Sequence, residues 1–367
     1  MLCGRVAPVE IAPAAGGRRV KVLFAPDWRQ GVPYQRLLAE ALANCDVHVE
    51  FPQGTRRVLP LYRMVRDQHC DVLHLHWPEA YWTERGGRLD PFRPLRHPVD
   101  LQLARLHQPI VYTAHNLWPH NVHHTPPIRT AVQATLRLAD RIFVHSQGAL
   151  EELGRTFAVD PARCAVIPHG DLSIDLGPPS TPAEARAALK IATNRPLALL
   201  FGRVEPYKGI EEVVTWWKEH RPDVQLAIVG EPYCPEYGDA LAQHIGEDNG
   251  ILWHPQRVTE AELGLLLSAA SVCVFNYRQI FTSGAASLAR SWGVPILLPA
   301  RLTTIDLSEP SPFVVRFQEM QEDFADKLRQ ALAVRPDYAA AQAWREQISW
   351  TTIARQCTEQ YHKVLAH

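Results

Sequence analysis

Leu199-Leu200-Phe201-Gly202-Arg203-Val204-Glu205-Pro206-Tyr207-Lys208-Gly209-Ile210-Glu211-Glu212 decides the fold. The apolar run Pro196 to Phe201 reads as a buried parallel strand. It stops at Gly202, turns through Arg203 and Lys208, and re-enters a helix at Gly209 with Glu211 and Glu212 in its first turn. Two cations thus stand at the carboxyl end of a strand, the rim where open α/β sheets bind ligands, and they suit an anionic group, most simply a diphosphate. A second stretch, Tyr277 to Ala286, follows the strand Ser271 to Phe275 and opens a helix over Ala285 to Ser291. Thr282, Ser283 and Gly284 there present backbone N–H groups at a helix N-terminus, and Arg278 adds a third cation. Alone, each stretch is an ordinary strand–turn–helix with solvated charge; together they describe a phosphate clamp.

At 367 residues and 46% hydrophobic, the chain accommodates two α/β domains with a core each. The net charge of −1 gives no basic face for nucleic acid. Seven cysteines without close pairs argue against a disulfide framework or a zinc site, and point to reduced thiols and a cytoplasmic location. Residues 1–19, rich in Ala, Pro and Gly, read as a disordered leader without the apolar core of a signal peptide. No stretch approaches the roughly 20 apolar residues of a membrane span.

The first domain is expected over 20–171. Its opening strand, Val20 to Pro26, ends at Asp27, which either reaches an acceptor hydroxyl or caps the loop. Val72 to His76 is a strand on which His74 and His76 share one face; a metal would need a third ligand that the sequence does not announce, so one of the two is expected to pack and the other to line the cleft. Trp77 and Glu79 on the loop beyond suit a sugar, by stacking and hydroxyl contact. His115, after the strand Pro109 to Thr113, is a second candidate base because imidazole titrates near neutrality. His120, His123 and His124 extend the next loop. A linker with a short helix spans 172–195, the second domain 196–337, and a single amphipathic helix 338–367.

These residues resemble the nucleotide-sugar glycosyltransferases of the GT-B fold. The signature is FGRVEPYKGIEEVV (Phe201 to Val214), then LAIVGEP, LWHPQRVTEAELGLLLSAASVCVF and GVPILLP. DVLHLHWPE (Asp71 to Glu79), TAHNLWPH (Thr113 to His120) and NYRQIFTSGAASLA (Asn276 to Ala289) narrow the resemblance to bacterial exopolysaccharide β-mannosyltransferases that use GDP-mannose. The resemblance implies two Rossmann-like doubly wound domains facing a cleft and a C-terminal helix crossing back to the first. It implies a nucleotide-sugar donor, GDP-sugar favoured, with no other cofactor, and a base-reading segment running from His254 to Val258. It also implies a glycan or polyprenyl-diphosphate-linked acceptor, with peripheral contact at the inner membrane an option that scattered arginines such as Arg56, Arg57 and Arg63 would serve. One departure is clear: the large retaining family carries two glutamates spaced by seven residues where this chain has Ile280 and Leu288.

Without those glutamates and without an Asp-x-Asp metal motif, the expected reaction is metal-independent and inverting. Arg203, Lys208, Arg278 and the N–H groups at Thr282, Ser283 and Gly284 meet the leaving diphosphate, and Asp27, His115 or Glu79 takes the acceptor proton. The alternatives are a GT-B epimerase or phosphorylase, a transferase for a small natural-product acceptor, and a non-catalytic GT-B partner module.

Overall fold

Apolar β-branched and leucine-rich runs form strands buried on both faces, and such strands assemble into parallel sheets covered by helices. The computed structural model describes residues 19–366 apart from 31, 53–57, 83–91, 120–124, 192–194, 249 and 308–309. Strands β1 (Val20–Ala25), β2 (Val47–Glu50), β3 (Val72–His76), β4 (Ile110–Thr113), β5 (Arg141–Val144) and β6 (Cys164–Val166) form one sheet in the order β2-β1-β3-β4-β5-β6. A second sheet holds β7 (Leu197–Phe201), β8 (Gln225–Val229), β9 (Ile251–His254), β10 (Val272–Val274), β11 (Ile296–Pro299) and β12 (Val314–Phe317), in the order β12-β11-β10-β7-β8-β9. All ten ladders are parallel.

The helices on the first sheet are α1 (Pro33–Ala43), α2 (Pro60–Gln68), α3 (Phe92–Arg105), α4 (Pro126–Leu138) and α5 (Gln147–Phe157). After the linker helix α6 (Pro182–Leu189), the second sheet is covered by α7 (Ile210–His220), α8 (Pro235–Ile245), α9 (Glu260–Ala269), α10 (Gly284–Ser291) and α11 (Phe324–Ala333). The chain closes with α12 (Gln342–Gln347) and α13 (Trp350–Leu365). This is the doubly wound, two-domain α/β fold expected from the clamp stretches. Strand order reverses between β1 and β3 in one sheet and between β7 and β10 in the other, and loops at such switch points open into a ligand crevice.

Two readings are corrected by the structure, and others fall outside it. The stretch between Glu79 and Pro109, to which the sequence reading gave no element, holds α3; Pro94 and Pro98 mask it, yet a proline in the first turn is tolerated and Pro98 costs one internal hydrogen bond. The expected single helix over 338–367 is broken, because Ser349 leaves the helical conformation to cap α13, its hydroxyl accepting from Thr352 N at 3.3 Å. All of the proposed leader but Arg19, the basic loop with Arg56 and Arg57, and His120, His123 and His124 lie outside the described residues.

The two halves grip each other through few but specific contacts. Phe281, from the second half, is buried in the apolar core under the first sheet. Ser146 Oγ donates to the Thr304 carbonyl at 2.6 Å, and a Cβ on Gly148 would sit 2.0 Å from the Thr303 carbonyl oxygen. Helix α13 crosses back onto α1, burying Trp350, Ile353, Ala354, Cys357 and Tyr361 with Phe24, Tyr34 and Phe143. Trp350 Nε1 donates to the Asp171 carbonyl at 2.7 Å, and its ring lies over Gly170, whose φ is +96° and whose Cβ would meet that ring at 2.5 Å.

Gly170→Ala therefore combines a left-handed backbone with a steric overlap. It is expected to destabilise the fold by roughly 2–3 kcal/mol in urea unfolding. A change within experimental error would show that Trp350 does not close on this turn.

Candidate active site

The clamp is assembled at the β7/β10 switch point. The turn after β7 and the loop after β10 are bonded together: Arg278 N donates to the Tyr207 carbonyl at 2.8 Å, and Asn276 Nδ2 donates to the Gly209 carbonyl at 3.0 Å. Gly209 sits at φ +60° with the Asn276 carbonyl oxygen 2.5 Å from where a Cβ would be, so only glycine lets the two loops close. Lys208 is buried, with Nζ 3.4 Å from the Phe201 carbonyl, and burial pushes its pKa down to about 8. It still carries its charge at neutral pH, with Glu205 opposing the effect of burial, and an incoming anion would stabilise that charge further.

The other expected cations differ. Arg203 is mostly exposed and 3.4 Å from Glu205. Arg278 is bonded to Glu212 at 2.9 Å and lies 3.6 Å from Glu211, so its charge is already partly met within helix α7. Ser283 caps α10, its Oγ accepting from Ala286 N at 3.1 Å and lying 3.0 Å from Tyr277 Oη. Thr282 Oγ1 is buried without a hydrogen-bond partner and lines a small cavity with Ser283, His145 and His169. A Cβ on Gly284 would meet the His169 ring at 3.4 Å, so the first turn of α10 faces the end of the first sheet. His254 ends edge strand β9, exposed, with Val258 partly buried beyond it; neither is among the residues that line the main cleft.

That cleft, of about 640 Å³, lies between the domains. Asn116 to Pro119, Glu152 and Arg155 line it from the first half; Tyr207, Tyr233, Arg278 to Phe281 and Arg301 to Thr304 line it from the second. Arg301, overlooked in the sequence, donates to the Tyr277 carbonyl at 3.1 Å and brings a further cation to the wall. Ile280 lies on the wall and Leu288 is buried in the core behind it.

On the facing rim, the β1/β3 switch point carries Asp27 and the turn Pro78–Tyr81. Asp27 is clamped by its neighbour: Arg29 Nε and Nη2 donate to it at 3.0 and 2.8 Å, and this pairing holds its carboxyl below the usual range. A carboxylate so stabilised is a weakened base. Glu79 is the opposite case. Burial pushes its pKa up to about 7 although Asn116 hydrogen-bonds the carboxylate, and it lines a narrow pocket with Trp77, His115, Asn116 and Trp118 that adjoins the cleft.

The histidines behave differently from expectation. His74 and His76 do share a face, with ring centroids 4.2 Å apart, but both are fully buried and neither lines the cleft. His74 is held by Tyr361 Oη and Thr113 Oγ1, each at 2.7 Å. His115 is buried too, stacked on Trp77 at 3.8 Å, with Nε2 3.1 Å from His76 Nδ1 and Nδ1 3.1 Å from His145 Nε2. His145 Nδ1 donates to the Ile167 carbonyl at 2.9 Å. With neutral rings that one carbonyl fixes every proton: His145 Nε2 must accept from His115 Nδ1, and His115 Nε2 from His76 Nδ1. The chain ends at His76 Nε2, a buried lone pair without a partner. Burial holds all of them below the ordinary imidazole range, His145 to about 4 and His76 and His169 to about 3. Tyr34 stands edge-on to His115, His145 and His169. His145 escaped the sequence reading although it follows a strand end as His115 does. Among the described residues no cluster of His, Cys, Asp or Glu is arranged to hold a metal ion.

Because the folded-state pKa values of these histidines are depressed, their contribution to stability is complete above the unfolded value of 6.5 and is lost as pH falls towards about 4. Each refused proton steepens the loss by about 1.4 kcal/mol per pH unit. Urea unfolding at neutral pH and near pH 5 should show this drop, flattened in His145→Gln; a flat wild-type profile would mean the rings are not buried neutral.

Comparison with known proteins agrees with this geometry. Residues 10–170 match the family Glycosyltransferase Family 4. Over 299 residues the chain is 28% identical to a GDP-mannose:glycolipid 4-beta-D-mannosyltransferase of Xanthomonas campestris pv. campestris, covering 80% of this chain and 77% of the relative. Over 289 residues it is 28% identical to an alpha-maltose-1-phosphate synthase of Mycobacterium tuberculosis, covering 70% and 74%. Its fold superposes on sucrose-phosphate synthase from Thermosynechococcus elongatus with a TM-score of 0.72 at 21% identity, over 95% of this chain and all of the other. The chain shares the two-domain GT-B fold, as its motifs indicate, and a glycosyltransferase stands among its sequence relatives.

Proposed function

We propose that the chain moves a hexosyl group, mannose favoured, from a GDP-sugar to a glycan or polyprenyl-diphosphate-linked acceptor in bacterial exopolysaccharide assembly. The reading is carried by one observation: the two clamp loops are bonded together beside the buried Lys208 at a switch point, and the cleft between the domains adjoins the narrow pocket of Glu79, whose carboxyl is pushed up to about 7. The name of the Xanthomonas relative supports the donor and acceptor class. A small natural-product acceptor or a non-catalytic module fits less well, because the cleft is lined from both domains and Lys208 is kept in the turn after β7.

In this reaction the acceptor hydroxyl gives its proton to the Glu79 carboxylate while its oxygen bonds to the anomeric carbon, and the bond to the diphosphate oxygen breaks with its electron pair on the phosphate. Lys208, Arg203 and the first-turn N–H groups of α10 meet that growing charge without moving, the kind of preorganised stabilisation that carries most of a rate enhancement. Glu79 is the base of choice over Asp27, which Arg29 keeps acidic, and over His115, whose two nitrogens are occupied by other imidazoles. Attack by an acceptor opposite the leaving group inverts the anomeric centre; Ile280 and Leu288 offer no carboxylate to the other face. A β-linked product, as the Xanthomonas relative is named for, is what inversion of an α-linked donor gives. No divalent ion is required in this scheme.

Melting curves with GDP, UDP, ADP and dTDP, each with and without EDTA, test the donor site: GDP should raise the melting temperature, EDTA should not reverse it, and Lys208→Ala should abolish it. No shift with any nucleotide would sink the transferase reading in favour of a non-catalytic module. With donor and acceptor in hand, kcat/KM should rise with pH to a plateau above about 7, since Glu79 acts ionised. Glu79→Gln should remove that limb and lower the rate by about 10²–10⁴; an unchanged profile would exclude Glu79.

A further inference from the structure

The three arginines that stand at the clamp are not equally free. Arg203 lies 3.4 Å from Glu205, and Arg278 is bonded to Glu212 and close to Glu211, so the two that the sequence announces are each set against a carboxylate. Across the cleft, Arg155 is paired with Glu152. Arg301 is the exception on this wall: among the described residues its side chain makes one hydrogen bond, to the Tyr277 carbonyl at 3.1 Å, and no ion pair. A guanidinium carries five donors in a planar fork, so most of those on Arg301 remain for a ligand.

The loop that carries Arg301 is fastened on both sides of it. Arg316, on the neighbouring strand β12, gathers the loop by donating to the carbonyls of Pro299, Leu302 and Ile305 at 3.4, 3.0 and 3.4 Å. Thr304 Oγ1 ties its far end to the Ile280 carbonyl at 2.8 Å, and Leu302 and Ile305 are buried beneath. An exposed cation on a loop held in this way has given up its backbone freedom before any ligand arrives. A binding residue gains from that preorganisation, and a solvated surface arginine has no need of it.

The anchor of Arg301 points to the ligand. The carbonyl that accepts from Arg301 and the N–H that locks the clamp belong to one peptide unit, between Tyr277 and Arg278; its N–H donates to the Tyr207 carbonyl, next to Lys208. Tyr277 Oη in turn lies 3.0 Å from Ser283 Oγ, the cap of α10. Tyr277 therefore joins the loops at the ends of β7, β10 and β11, and Arg301 stands one peptide unit from the turn that holds Lys208.

We infer that Arg301, and not Arg278, is the arginine that grips the diphosphate of a nucleotide bound at the clamp. Arg278 serves the protein instead, tying the loop after β10 to helix α7 through Glu212. A diphosphate brings more negative charge than Lys208 alone offsets, and an unpaired guanidinium can hold two of its oxygens at once. The inference deepens the donor-site reading and rests on it.

Calorimetric titration of the full chain with GDP, GMP and guanosine, and with UDP, tests it. Arg301→Gln should weaken GDP and UDP binding about tenfold to a hundredfold, a larger loss than Arg278→Gln causes. The loss should shrink with GMP and vanish with guanosine. Arg301→Lys, which keeps the charge but not the fork, should recover part of it. Melting temperatures of the unliganded variants check the fold; should Arg301→Gln melt early, Arg301→Lys still reads the effect, as a smaller loss confined to the phosphorylated ligands. A loss as large for guanosine as for GDP, or a larger one in Arg278→Gln, would overturn the assignment. A wild type that binds neither GDP nor UDP would sink the donor reading beneath it, whereas equal GDP affinity in wild type and Arg301→Gln would overturn this inference alone.

Discussion

Every strand in both sheets points the same way as its neighbours, and that one constraint arranges the rest. Parallel strands need a crossover helix between each pair, so all carboxyl ends of a sheet lie along one rim and all returns run behind it. Where the order reverses, two crossovers depart in opposite directions and leave a crevice. The clamp loops fill one such crevice and the Asp27 and Glu79 turns border the other. Site residues far apart in the chain, such as Lys208 and Arg278, meet because β7 and β10 are adjacent.

The fold was legible because the strands are short, predominantly apolar runs, a signal that needs little tertiary context. Leu197 to Phe201, Val272 to Val274 and Ile296 to Pro299 needed only their own composition. Helix α3 was not legible: its prolines and arginines conceal the period, and its inner face is built on His97 and Asp100, polar residues that become core only through Trp82, Thr135 and the α2 backbone. At the site, the sequence named the clamp loops but not who is paired with whom. Arg278 looks like a phosphate ligand until Glu212, 66 residues earlier, is seen against it. His115 looks like a base until His76 and His145 are found on its two nitrogens. Residue type announces chemical capacity; the neighbours that engage it come from elsewhere in the chain.

Burial sets the electrostatic character of the two rims in opposite senses. On the first, five imidazoles are packed tightly enough to stay neutral, so a densely nitrogenous region carries no charge and would not repel the cations across the cleft. On the second, burial lowers the Lys208 pKa to about 8, so the lysine keeps its charge at neutral pH but holds it less firmly than an exposed one, and a bound anion would secure it. The carboxyl near neutrality, Glu79, lies beside the neutral rings and not among the arginines, which would have acidified it as Arg29 does Asp27.

Gly148 has one further consequence. Its missing side chain lets the start of α5 rest directly on the Thr303 backbone, with no flexible group between them. A contact between two main chains has no rotamers with which to yield, so it works as a mechanical stop. The closest approach of α5 to the Thr303 turn on the cleft wall is fixed by the thickness of the two backbones.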